Sequence, residues 1–168
     1  MKQTKAMWIA QSAIIAALYV VITVVLAPFG FGEIQLRVSE ALTVLPVFTP
    51  AAVPGLFLGC LIGNILGGGI LPDIIVGTIA TLLGAIGTYS LRRYKYLAPI
   101  VPVITNALLV PFVLKYGYGV PLPIPVMMLT VGIGEILSCM VLGIALMKLI
   151  EKTNLFGQEY LFAPINKK

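Results

Sequence analysis

FGEIQLRVSEALTVLPVFTPAAVPGLFLGC, running from Phe31 to Cys60, gathers Glu33, Arg37 and Glu40 beside Pro46, Pro50 and Pro54, with Pro28 just ahead of it. A long apolar run precedes these charges and another follows them. They therefore belong at a membrane surface or just inside it, where an ionisable group is costly and needs a reason to be there. The stretch is expected to form the lip of a binding site in a small membrane protein.

The rest of the chain agrees with that setting. Of its 168 residues, 60% are hydrophobic and 10% charged, with a mean hydropathy of +1.07, whereas soluble domains carry roughly 25% charged residues. A six-helix bundle at ~20 residues per span would use up residues 1–168 as a single membrane domain. The first apolar run, Met7 to Ala27, is too long for a signal-peptide core and is read as a retained helix despite Lys2 and Lys5 ahead of it. Cys60 and Cys139 are scattered in apolar runs and read as small core residues rather than a disulfide. The chain has no histidine, which removes Ser-His-Asp and Cys-His catalysis and the HExxH zinc motif. Gly67, Gly68 and Gly69 lack the following Gly-Lys-Ser/Thr of a phosphate loop, so ATP hydrolysis is not expected here. No catalytic residue, metal ligand, cofactor or nucleic-acid partner is expected.

Proline places the helix breaks. Pro46, Pro50 and Pro54 each remove a backbone donor and disfavour helix at the preceding residue. Ser39 to about Phe48 is predicted as a short helix, Thr49-Pro50 as a turn, and Ala51 to about Leu66 as a second helix. The triple glycine is a loop, and Pro72-Asp73 starts a helix to about Leu91. Leu97 to Leu114 and Val126 to Ile150 are the last two spans. On the first span Ala6, Ala10, Ala13 and Ala17 share a helical face. Such a seam serves either packing inside the bundle or docking of a partner.

Short cytoplasmic loops collect Lys and Arg. Lys2, Lys5, Arg92, Arg93, Lys95, Lys148, Lys152, Lys167 and Lys168 fall on one side if both termini are cytoplasmic, leaving only Arg37 and Lys115 outside. That demands an even number of crossings between the first span and the one starting near Pro72. Ser39 to Leu66 then either crosses twice or re-enters, and its length favours six crossings in all. Glu33, Gln35, Arg37, Glu40 and Asp73 belong near the outer surface. Asn106 and Glu135 each lie about nine residues into a span, near mid-depth at ~1.5 Å per residue, where they are able to face each other. A carboxylate at that depth costs roughly 2.5–3.5 kcal/mol, so Glu135 should face a ligand cavity or a partner such as Arg37. Gly132 and Gly134 leave room beside it. Tyr89, Phe112, Tyr116 and Tyr118 offer stacking faces or an interfacial belt.

The segment Phe31 to Cys60, above all Arg37-Val38-Ser39-Glu40-Ala41-Leu42-Thr43, resembles the QueT family, substrate-binding components of energy-coupling factor (ECF) transporters. The resemblance continues through Asp73 to Leu83 and Leu97-Ala98-Pro99 to Asn106-Ala107-Leu108, and so covers nearly the whole chain up to Glu135. It implies an all-α bundle of six transmembrane helices with cytoplasmic termini, in a multi-pass protein of the cell membrane. It also implies a transmembrane coupling protein and two ATPase subunits as partners, docked on Ala6, Ala10, Ala13 and Ala17. The implied ligand is a 7-deazaguanine such as queuine, preQ1 or preQ0. Glu135 would accept its two adjacent N–H donors and Asn106 would bond its carbonyl or a ring nitrogen. Glu40 or Asp73 would pair with the aminomethyl cation of preQ1, and Arg37 would close the outer gate or neutralise Glu40. The alternatives are a component for another flat heterocycle or vitamin, a self-sufficient carrier, and, least favoured, an intramembrane enzyme using Glu40, Asp73 and Glu135.

Overall fold

A computed structural model describes residues 4–27 and 36–153. Pro28, Phe31, Glu33 and Gln35 of the opening stretch, and Lys2, Lys167 and Lys168 of the charge pattern, lie outside the described residues. Among the described residues all regular structure is helical: α1 (Lys5–Val25), a 3₁₀ helix (Val38–Val47), α2 (Ala52–Leu66), α3 (Leu71–Ser90), α4 (Ile100–Tyr116) and α5 (Ile124–Thr153). A π-helical section, Ile136–Leu142, interrupts α5. Helices α1, α3 and α5 are long and apolar enough to cross a membrane; the other three are shorter apolar helices.

The breaks fall where proline and glycine put them, with small shifts at the ends. Thr4 moves the start of α1 ahead of Met7, because its hydroxyl accepts from the Met7 N–H at 3.3 Å and satisfies one of the free donors of the first turn. Helix α4 starts at Ile100 rather than Leu97, since hydrogen-bonded turns through Leu97 and Ala98 carry the chain round from Tyr94.

The first and third helices run parallel. A Cβ added to Gly55 would meet the Ser12 carbonyl at 2.8 Å, one on Gly59 would meet Tyr19 Cβ at 2.7 Å, and one on Gly63 would meet Thr23 Cβ at 3.2 Å. Three glycines at spacings of four thus bring two backbones together, the small-residue seam of membrane helix pairs. The alanines of α1 are not in it: Ala6, Ala10, Ala13 and Ala17 are all exposed, and α1 buries Ser12, Ile15, Ala16, Tyr19 and Thr23 instead.

Because α1 and α2 are parallel, the chain between them must return. The 3₁₀ helix makes that return. At one end Thr23 Oγ1 donates to Ser39 Oγ at 2.8 Å; past the other end Thr49 Oγ1 donates to Gln11 Oε1 at 3.0 Å and Ser12 Oγ to the Ala51 carbonyl at 2.7 Å. Measured along α1, Thr23 to Ser12 is ~17 Å at 1.5 Å per residue. A 3₁₀ winding, at ~2.0 Å per residue, covers that depth in fewer residues than an α-helix would need. Pro46 lies inside the helix and has no N–H for an α-helical bond. Ser39 to Val47 are all buried, with α1, α3 and α5 packed around them. Gly143 of α5 admits this helix so closely that a Cβ there would lie 2.7 Å from Val44 Cγ1. Helix α3 then runs antiparallel to α2, α4 antiparallel to α3, and α5 returns beside α4.

The charges separate by end. Lys5, Arg92, Arg93, Lys95, Lys148 and Lys152 lie at the end where α1 begins and α3 and α5 finish. There Lys95 Nζ pairs with Glu151 Oε1 at 2.6 Å, which pins the α3–α4 turn to α5 and raises the ammonium pKa through that hydrogen bond. Arg37 and Lys115 lie at the opposite end, and each is engaged: Arg37 with Asp73, and Lys115 with the Val120 and Leu122 carbonyls at 3.4 and 3.2 Å.

Candidate functional site

Glu40 sits in the first turn of the 3₁₀ helix, completely buried. Its Oε1 accepts from the hydroxyl of Tyr19 on α1 and from Thr81 Oγ1 on α3, the latter at 3.0 Å. Its backbone carbonyl accepts from Thr43 Oγ1 at 2.5 Å. Its second oxygen, Oε2, is buried with no hydrogen-bond partner. Three elements, the 3₁₀ helix, α1 and α3, therefore meet at one carboxylate, and α5 brings the next.

Glu135 is the last residue before the π-helical section and is 1% exposed. The Cys139 thiol, one turn on, donates to Glu135 Oε2 at 3.2 Å and lies 3.6 Å from the Glu40 carbonyl. Ligating atoms of Glu40, Glu135 and Cys139 all fall within 4.8 Å of one another. Asn106 of α4, 3% exposed, turns its side chain to both carboxylates. The expectation that Asn106 and Glu135 meet at depth is thus met, with Glu40 between the same helices rather than at the surface. Two carboxylates and a thiolate are a possible ligand set for a divalent metal, although Tyr19 and Thr81 already occupy Glu40 Oε1.

A second polar cluster lies toward the Arg37 end. Arg37 Nη2 donates to both oxygens of Asp73 at 3.1 Å, with the two side chains 5% and 0% exposed. Arg37 therefore pairs with Asp73 rather than serving Glu135 as its ion-pair partner. Gly77 makes room: a Cβ there would lie 3.4 Å from Arg37 Nη1 and 3.2 Å from Asn64 Nδ2. Tyr118, in the α4–α5 loop, donates its hydroxyl to Asp73 Oδ2 at 3.1 Å. Burial and the Asp73 charge hold that phenol above its ordinary pKa. The clusters are joined through Cys60, whose sulfur accepts from Asn64 Nδ2 at 3.4 Å and lies 3.3 Å from Thr81 Oγ1.

Tyr19, Thr81, Cys139 and Asn64 were not foreseen. Tyr19 was the recoverable one, as a tyrosine within a span rather than at its end. The cysteines are free and buried, as expected, but both touch the polar clusters. Phe112 and Tyr116 are exposed and Tyr89 stacks under the Arg92 guanidinium at 4.2 Å, positions of an interfacial belt.

An apolar helical chain with long candidate spans and a polar centre sealed between them is an integral membrane protein built around a buried polar site. The sequence profile of the QueT transporter family matches residues 9–152, and the chain belongs to that family. It is 37% identical over 98 residues to the queuosine precursor transporter QueT of Lactococcus lactis subsp. cremoris (strain MG1363), a match covering 56% of this chain and 57% of that relative. No solved structure matches the chain. Its family is one of transporters, not enzymes.

Proposed function

We propose that this chain is the substrate-capturing membrane subunit of an ECF-type ABC transporter for a queuosine precursor, a 7-deazaguanine such as queuine, preQ1 or preQ0. The observation that carries the reading is the meeting of Glu40, Asn106 and Glu135 at the buried centre of a chain in the QueT family. A guanine-like edge presents two adjacent N–H donors, which a carboxylate accepts in bidentate fashion. Glu135 takes that edge and Asn106 the carbonyl or a ring nitrogen. An analogue lacking the donors leaves a buried carboxylate unpaired and is rejected. Arg37 and Asp73 form the outer wall.

The chain crosses the cell membrane six times, the 3₁₀ helix and α2 counting as two crossings. Both termini are cytoplasmic, because Lys and Arg collect at the end where α1 begins. The exposed face of Ala6, Ala10, Ala13 and Ala17 docks a transmembrane coupling protein, and two ATPase subunits drive delivery to the cytoplasm.

Calorimetry on the detergent-purified protein tests this with queuine, preQ1, preQ0 and guanine, alongside Glu135→Gln. Tight binding of a deazaguanine over guanine, weakened at least ~100-fold in the variant, is expected. Folded protein that binds none of them overturns the reading.

A further inference from the structure

Glu40, Asn106, Glu135 and Cys139 are all buried, so nothing in solution reaches the polar centre until the bundle opens. The apolar packing shows where it is able to part. One core joins α1, the 3₁₀ helix, α2 and α3 to the last turns of α5, through residues such as Tyr19, Val44, Leu56 and Met147. A smaller core sets Val110 and Leu114 of α4 against Met127 and Val131 of α5, with Val120 and Leu122 of the intervening loop packed alongside. Among the described residues the two cores share none, and the first half of α5, Ile124–Glu135, packs chiefly on α4. The boundary between the cores falls where both helices bend most easily. Helix α5 turns π-helical over Ile136–Leu142, and α4 contains Pro111, which has no N–H for the Ala107 carbonyl. Sharp helix bends gather at proline and at π-bulges. On the far side of each break the chain is fixed. A Cβ on Gly84 of α3 would lie 2.9 Å from Pro102 Cα of α4, and one on Gly143 of α5 would lie 2.7 Å from Val44 Cγ1. Independently, Ser138 Oγ in the π-helical section is buried with no hydrogen-bond partner. Within an α-helix a serine hydroxyl reaches the carbonyl four residues back, so rewinding this section as α-helix would supply the missing bond.

We propose that the outer end of α4 from Pro111, the loop carrying Tyr118 and the first half of α5 move as one flap, pivoting at Pro111 and at the π-helical section, and that this motion opens the polar centre toward the Arg37 end. Tyr118 latches the tip of the flap, donating to Asp73 Oδ2 and accepting from the Ile70 N–H. As the route by which a solute enters, the flap rests on the transport reading; as a motion of the protein alone, it does not.

The chain's two cysteines supply the test. Both are buried, but Cys139 lies in the pivot beside Glu135, whereas Cys60 belongs to the larger core and is held by Asn64 and Thr81 of α2 and α3. Ligand-free protein in detergent is treated with methyl methanethiosulfonate, and the modification of each cysteine is followed by peptide mass spectrometry. Local opening is more frequent than global unfolding, so Cys139 is expected to react at least ~10-fold faster than Cys60. Tyr118→Phe, which removes the latch, should speed Cys139 several-fold and leave Cys60 unchanged. Pro111→Ala, which gives the Ala107 carbonyl its donor, should slow Cys139. Equal rates at the two cysteines, the mark of global unfolding, overturn the inference, and so does a Cys139 rate that neither variant alters. Fast modification of Cys139 that queuine, preQ1 and preQ0 all fail to slow leaves the flap standing and counts against the transport reading. The wild-type ratio and Tyr118→Phe decide the matter even if Pro111→Ala does not fold.

Discussion

The hydroxyl of Tyr19 on α1 donates to Oε1 of Glu40 on the 3₁₀ helix, and neither residue is exposed to solvent. The bond ties the first span to the returning one at the level of the polar centre. Tyr19→Phe keeps the ring and leaves Oε1 with Thr81 as its remaining donor. A buried acceptor that loses a donor costs roughly 1–3 kcal/mol, so the melting temperature in detergent should fall by several degrees. An unchanged melting curve would mean that Glu40 is held without Tyr19.

The glycine seam makes a sharper comparison. Alanine is intrinsically better than glycine inside a helix by roughly 1 kcal/mol, so the propensity gain is similar wherever the exchange is made. At Gly132 the new Cβ would meet Ala107 Cβ at 3.8 Å, an ordinary contact, whereas at Gly59 it would press on Tyr19 Cβ at 2.7 Å and Ala16 Cα at 3.1 Å. Overpacking of that kind costs roughly 1–3 kcal/mol. Gly132→Ala should hold or raise the unfolding temperature and Gly59→Ala should lower it. Equal effects at the two sites would dissolve the idea of a close α1–α2 seam.

What could be read from the sequence follows from which signals are local. Pro46, Pro50 and Pro54 act on their own backbone, so the break after Val47 was predictable to within a residue or two. The depth of Asn106 and Glu135 followed from counting along a helix. The alanines of α1 left two readings open because small residues mark close approach without naming the neighbour: Ala6, Ala10, Ala13 and Ala17 face outward, and inside the bundle Gly55, Gly59 and Gly63 on another helix make the seam with α1. Likewise Arg37 stands beside Glu40 in sequence, but its guanidinium reaches Asp73, 36 positions away. The 3₁₀ winding that sinks Glu40 below the surface answers to the depth the chain must recover between two parallel helices, a demand no local pattern records.

The Arg37–Asp73 pair is expected to show strong coupling. Arg37→Met leaves the buried Asp73 carboxylate without its cation, and breaking a buried pair from one side costs roughly 3–5 kcal/mol. Asp73→Asn strands the guanidinium in the same way. The double variant removes both charges and should lose clearly less than the two single losses added together. Unfolding measurements on the four proteins give the coupling directly. Strict additivity would show that the two side chains do not support each other.

Tyr118 joins the α4–α5 loop to this pair. Its hydroxyl donates to Asp73 Oδ2 at 3.1 Å and accepts from the Ile70 N–H at 3.4 Å, while Lys115 holds the same loop through the Val120 and Leu122 carbonyls. A ligand that leaves the buried polar centre past this loop breaks the Tyr118–Asp73 bond on the way out. Tyr118→Phe keeps the ring, itself 36% exposed, and removes only the latch. A partly exposed hydrogen bond contributes about 1 kcal/mol, or roughly fivefold in rate if it is broken on the way out. Dissociation of the deazaguanine that binds best, followed by stopped-flow competition, should therefore quicken several-fold with little change in melting temperature. Unaltered dissociation would place the exit elsewhere and leave Tyr118 as a structural tether alone.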